Sequence, residues 1–211
     1  MQPIAIHHQD DDLLVVDKPP GVLVVPAPGR RGPTLIDLLE RQLGRRLMPV
    51  HRLDEETSGA LLVAQTDAAR IGLEAQFRSH SVERVYLALV AGTPSPANGR
   101  IQARLAVDGD LVRVVRSGGE VAVTDYQLLA RRGRCSLLRC RLETGRRNQI
   151  RVHMAELGCP LAGDRKYGYR IRGGERFARV MLHSWRLGFQ HPTTSIRLDI
   201  VVEPREPELQ P

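Results

Sequence analysis

Apolar positions along this chain come mostly in short runs, not in long helical stripes. Runs at 4–6, 13–17 and 21–25 are rich in β-branched residues and are broken by turns, a polar one at 9–12 and a Pro-Pro-Gly one at 19–21. Segment 26–33 is a Pro/Gly/Arg loop. Thr34 then stands as an N-cap, Leu35, Leu38, Leu39 and Leu43 recur at helical spacing, and Gly44 closes the helix. A basic connector, 45–52, follows. The pattern predicts a strand over 60–65 and a helix capped by Thr66 or Asp67 that runs to about Arg78. Segment 82–90 reads as a strand and 92–98 as a loop. Further strands are expected near 100–105, 111–115, 121–130 and 136–142. A helix starts near Arg147 and stops at Gly158, with Ile150, Met154 and Leu157 on one face. Strands near 181–183, 186–190 and 195–202 complete the inventory. Strands and helices do not alternate regularly, which argues for an α+β fold with a mixed or antiparallel sheet.

Composition narrows this picture. A 211-residue chain with 42% hydrophobic and 26% charged residues is globular and has room for a substantial core. Residues 1–202 read as one domain. Residues 203–211 read as an acidic tail with no element of its own, a candidate for disorder. The formal net charge is +7. The tail holds three Glu against one Arg, so the body before it is more basic still. Such a body suits a polyanionic partner, nucleic acid before membrane. Lys18 and Lys166 are the only lysines among the 31 basic residues. Arginine forks bind phosphate bidentately, although a GC-rich genome produces the same preference. Cys135, Cys140 and Cys159 form no CxxC pair and no ligand cluster with histidine, so buried free thiols are expected, with no metal site. With no membrane-length apolar run and no signal architecture, a cytoplasmic location is expected.

Three constellations carry chemistry. The first, HRLDEETSG at 51–59, is a loop that feeds a strand. Its Asp54 is either one half of a local pair with Arg52 or a carboxylate held ready as nucleophile or base. The second, TGRRNQIRVH at 144–153, passes from a glycine turn into a helix whose first turn is crowded with Arg146, Arg147 and Arg151, an arrangement suited to an anion. Arg151 adjoins the apolar stripe and needs an acidic partner, for which Asp54 is a candidate. The third, RVYLALV at 84–90, places Tyr86 on the strand face opposite Val85 and Leu87, as a core residue or as a ring that stacks on a flat substrate.

Taken together these residues resemble the RluA-type pseudouridine synthases. HRLDEETSG matches that family's HRLD-x-x-TSG signature, RVYLALV its second element, and TGRRNQIRVHMAELGCPLAGDRKYG its third. LLVVDKPPGVLVVP, VAVTDYQLL and LHSWRLGFQHP add support, and the resemblance runs from about Ile4 to about Val202. Asn148 and Cys159 depart from it, standing where the family often has His. The resemblance implies a mixed, mainly antiparallel β-sheet core with flanking helices. It also implies a catalytic domain without an N-terminal RNA-binding module, acting with no cofactor on a flipped-out uridine of a ribosomal or transfer RNA stem-loop. It assigns Asp54 to attack or deprotonate the ribose, Arg151 to pair with Asp54, and Tyr86 to pack on the uracil. Arg52 resembles the arginine that fills the vacated stack. Lys18, His51, Arg146, Arg147 and Gln149 are expected to bind substrate, Lys18 by shaping the cleft or meeting phosphate. The expected state is a monomer. Two other readings compete. One is a non-catalytic RNA-binding or ribosome-assembly protein. The other is a glycoside or nucleoside hydrolase, for which adjacent loop carboxylates such as Glu55 and Glu56 are poorly placed.

Overall fold

The computed structural model describes residues 3–170 and 176–211. The elements in chain order are β1 (Ile6–Gln9), β2 (Leu13–Lys18), α1 (Leu35–Leu43), β3 (Met48–Pro49) and β4 (Ser58–Ala64). Next come α2 (Asp67–Arg78), β5 (Glu83–Ala91), β6 (Asn98–Asp108), β7 (Leu111–Val115), β8 (Glu120–Arg132) and β9 (Cys135–Leu142). The last are α3 (Gln149–Glu156), β10 (Leu182–Gln190) and β11 (Arg197–Val201). The class is α+β, as the pattern predicts. The chain read as one domain over 1–202 divides into two compact units, Met1–Arg84 with Ser184–Glu203, and Val85–His183 with Pro204–Pro211. Among the described residues no helix is long and apolar enough to cross a membrane.

In the first unit the strand order is β1-β2-β4-β10, with β3 beside β4 and β11 beside β10. Leu13, Val15, Ala60, Leu62 and Ala64 pack with Ala69 and Leu73 of α2 and with Leu187 and Phe189 of β10. Leu14, Val16, Leu61 and Val63, on the alternate positions, are just as buried. Burial on both faces explains why these segments read as unbroken apolar runs. α1 carries the expected caps. Thr34 Oγ1 accepts from the Asp37 amide at 3.2 Å, Asp37 accepts from the Thr34 amide at 2.8 Å, and Gly44 turns left-handed at φ 67°. Two expected strands are corrected. Ile4 is not in β1, because the Gln42 side chain takes both its backbone groups, at 2.8 and 2.9 Å. Segment 21–25 is irregular, because the carbonyls of Leu23 and Val24 accept from the first amides of α1. The two strands expected at 181–183 and 186–190 are one, β10, in which the Ser184 hydroxyl donates to the Ala60 carbonyl at 2.9 Å.

In the second unit the order is β5-β9-β8-β6-β7. The pairings β6–β7, β6–β8 and β8–β9 are antiparallel. α3 packs Val152 against Leu105, Val112 and Ala122. It begins two residues later than expected, because Asn148 is left-handed at φ 53°. Cys135, Cys140 and Cys159 are buried free thiols, and burial pushes Cys140 up to about 12. The tail is a correction too. Leu209 is fully buried in a short turn, Pro207–Leu209, Glu206 accepts from Arg179 at 2.6 and 2.8 Å, and the Gln210 carbonyl accepts from Arg132 at 2.5 Å. One apolar anchor and one ion pair outweigh the acidic, proline-rich composition from which disorder was expected.

Candidate active site

Lys18, His51, Arg52 and Asp54 fall in the first unit, and Tyr86, Arg146, Arg147, Gln149 and Arg151 in the second. In the first, the loop between β3 and β4 closes with the Thr57 amide on the Asp54 carbonyl, 3.1 Å. Leu53, Thr57 and Ser58 are buried on either side of the half-buried Asp54, and Arg52 is exposed. Gly59 adopts φ 101° opposite Lys18 in the β2–β4 register, a conformation that needs glycine.

Two of the expected substrate ligands hold this loop instead. Lys18 is completely buried, and its ammonium donates to the carbonyls of Pro19 (2.9 Å), Glu55 (2.9 Å) and Thr57 (2.8 Å). Three donors meet three acceptors, so the group neither meets phosphate nor lies at the surface. The Gly21 amide also reaches the Glu55 carbonyl, 2.8 Å, and Arg30 pairs with the Glu55 carboxylate. His51 Nε2 accepts from the Leu62 amide at 2.9 Å, and its ring stacks on Phe77 with centroids 4.4 Å apart. Burial, and then the Arg84 guanidinium, push its pKa down to about 3. His51 is therefore a neutral latch between loop and strand.

In the second unit Tyr86 is buried in the middle of β5. Arg151 is buried on α3 and forks onto Asp164, Nε to Oδ2 at 2.6 Å and Nη2 to Oδ1 at 2.8 Å. Its guanidinium lies 5.1 Å from the Tyr167 ring centre, and Nη1 donates to Asn148 at 3.4 Å. Asn148, in place of a histidine, donates to the Tyr167 hydroxyl at 2.9 Å. The sequence reading missed Asp164 and Tyr167. Their only signal was their place in the GDRKYG stretch of the third motif.

Gln149 is also corrected. Its Oε1 accepts from Thr144 Oγ1 (2.8 Å) and the Arg146 amide (3.0 Å), while Nε2 donates to the Val123 carbonyl and Thr124 Oγ1, both 2.9 Å. All four bonds of the amide are used within the protein, so it builds the turn and does not read substrate. Arg146 is half-buried, with an ion pair to Glu120 at 2.6 Å. Arg147 is exposed and reaches only the Asp110 carbonyl, 3.3 Å among its described contacts. His153 is fully buried, with Nδ1 2.9 Å from Thr124 Oγ1, and burial lowers its pKa to about 4.

Known proteins share both the sequence and the fold. A ribosomal large subunit pseudouridine synthase D from Zymomonas mobilis is 40% identical over 220 residues, covering 95% of this chain and 69% of the relative. An uncharacterised RNA pseudouridine synthase from Bacillus subtilis is 42% identical over 200 residues, covering 90% of this chain and 65% of its own length. Across such relatives the chain spans 56–70% of their length. The solved structure of human RNA pseudouridylate synthase domain containing 1 superposes with a TM-score of 0.82 at 28% identity, over 100% of this chain and 89% of that one. The sequence model of RNA pseudouridylate synthases matches residues 12–156, which hold the loop around Asp54, the strand with Tyr86 and the helix with Arg151, and the chain belongs to that family.

Proposed function

We propose that this chain isomerises uridine to pseudouridine in structured ribosomal RNA, with Asp54 as the carboxylate that attacks or deprotonates the ribose. The observation that carries the reading is the mounting of the Asp54 loop. A buried ammonium, a neutral imidazole and a tight turn hold the backbone, and the carboxylate itself stays half-buried at the position the family signature requires. Rigid support of this kind is what a nucleophile or base needs. The kinship with synthases named for the large ribosomal subunit favours ribosomal over transfer RNA.

In the proposed reaction the N1–C1′ bond of a flipped-out uridine breaks, the base turns, and a C5–C1′ bond forms. The C5 proton leaves to solvent and N1 gains one, so product and substrate are isomers and no electrons are exchanged. Arg151 supplies the positive charge that the family resemblance assigns to the reaction. Tyr86 packs against the turning base. Arg52 and Arg147, both exposed, meet the RNA. The protein acts as a monomer in the cytoplasm and needs no cofactor.

The test is tritium release from RNA labelled at uridine C5, from cells lacking this protein, with ribosomal and transfer fractions assayed separately. Wild type should release tritium from the ribosomal fraction. Asp54→Asn should fold and bind but release none. Free uracil in place of isomerised base would identify a hydrolase. Binding without release in either fraction would leave an RNA-binding protein and overturn the reading.

A further inference from the structure

The buried ion pair of the second unit has a geometry that a neutral or singly bonded partner could not supply. Asp164 is 1% exposed, and a carboxylate that deep is costly unless it is fully engaged. Its two oxygens take the Nε and Nη2 hydrogens of Arg151 side by side, at 2.6 and 2.8 Å. Such a fork fixes the plane of the guanidinium as well as its position. The Tyr167 ring covers one face, and the Tyr167 hydroxyl is itself held by Asn148 and by the Val112 amide, each at 2.9 Å.

Asp164 has a rigid seat of its own. It caps the turn Arg165–Tyr167, accepting from the Tyr167 amide. The residue before it, Gly163, has φ 81°, and a Cβ there would lie 1.9 Å from the Arg179 carbonyl oxygen. Arg179 is tied in turn to Glu206 and to the Val180 carbonyl, 2.7 Å. The carboxylate therefore cannot follow its arginine. The arginine must adopt the orientation the carboxylate sets.

We propose that Asp164 is the positioning residue for Arg151. It takes the Nε–Nη2 edge so that Arg151 meets the reacting groups with the Nη1 end of its fork. This rests on the proposed isomerase activity and deepens it, since a charge at Arg151 alone would not suffice.

The test is a double-mutant cycle read by single-turnover rate at saturating RNA, with RNA affinity and melting temperature measured alongside. Asp164→Asn in the wild-type background should lower the rate by about 30-fold or more while affinity stays within about twofold. In the Arg151→Lys background, where no fork remains to be oriented, the same change should cost no more than about twofold. Asp164→Glu keeps the charge but moves it by one methylene, and should lose rate in the wild-type background only. It completes the cycle if the asparagine variant does not fold. Equal losses in both backgrounds would mean that Asp164 only supports the fold, and would overturn the proposal. So would a wild-type rate in Asp164→Asn. A wild type that turns over no RNA overturns the isomerase reading itself, an outcome distinct from either.

Discussion

Replacing Lys18 by Met removes the ammonium and keeps most of the volume of the stem. Three carbonyls lose a donor, those of Pro19, Glu55 and Thr57. Glu55 keeps the Gly21 amide at 2.8 Å. The Pro19 and Thr57 carbonyls each lose a charge-assisted bond, and a buried acceptor left short costs about 1–3 kcal/mol. Relief from burying the charge offsets part of that loss. A net destabilisation of about 1–3 kcal/mol follows, which for a chain of this length lowers the melting temperature by roughly 2–12 °C. The local effect is larger, because the lysine ties the 18–21 turn to the loop that carries Asp54. A shift of about 1 Å in a reacting group costs on the order of 100-fold in rate. The assay pairs a thermal melt with tritium release and with RNA affinity over a salt series. The expected result is a lower melting temperature, a rate down by about 100-fold, and an unchanged salt slope. A lysine on a phosphate would behave differently: affinity would weaken and the log–log salt slope would shrink by about 1, with stability unchanged. That outcome would refute the reasoning.

Acid should destabilise the protein through two imidazoles, those of the fully buried His153 and the half-buried His51. An unfolded histidine titrates near 6.5, whereas burial holds His153 near 4 and His51 near 3, so the unfolded chain binds more protons below pH 6.5. Stability is fully present above pH 6.5 and falls as pH drops toward 4, by about 2 kcal/mol from His153 alone at pH 5, and a urea midpoint that is the same at pH 7 and pH 5 would contradict this. Gly163→Ala should lower the melting temperature far more than Gly168→Ala. Both residues have positive φ, but only at Gly163 does a Cβ strike backbone, and equal shifts would disprove the close approach to Arg179. Leu209→Ala should cost about 2–5 kcal/mol in a denaturant melt, where a disordered tail would show no change.

The features legible in the sequence are those whose partners lie close along the chain. The caps at Thr34, Gly44 and Thr66 bond within four residues, so residue type alone reveals them. The missed features depend on distant partners. Ile4 reads as a strand until Gln42, 38 residues away, takes its amide and carbonyl. The 203–211 tail reads as solvated until Leu209 and Glu206 find the second unit.

The same distinction separates motif from machinery. The three motifs are contiguous words that carry the family and the candidates Asp54, Tyr86 and Arg151, and the hydrophobic pattern carries the α+β class. Which polar neighbours remain available to a ligand was decided only in three dimensions. Lys18 and Gln149 read in the sequence as natural ligands for RNA, yet groups of the Asp54 loop, of β8 and of the 144–146 turn use their hydrogen-bonding capacity. Asp164 lies 13 residues from Arg151, and its place in the third motif does not by itself name it as the partner. The physical reason is that a buried donor must be satisfied by whatever acceptor the fold brings within about 3 Å. Chain order does not specify that acceptor; the packed backbone does.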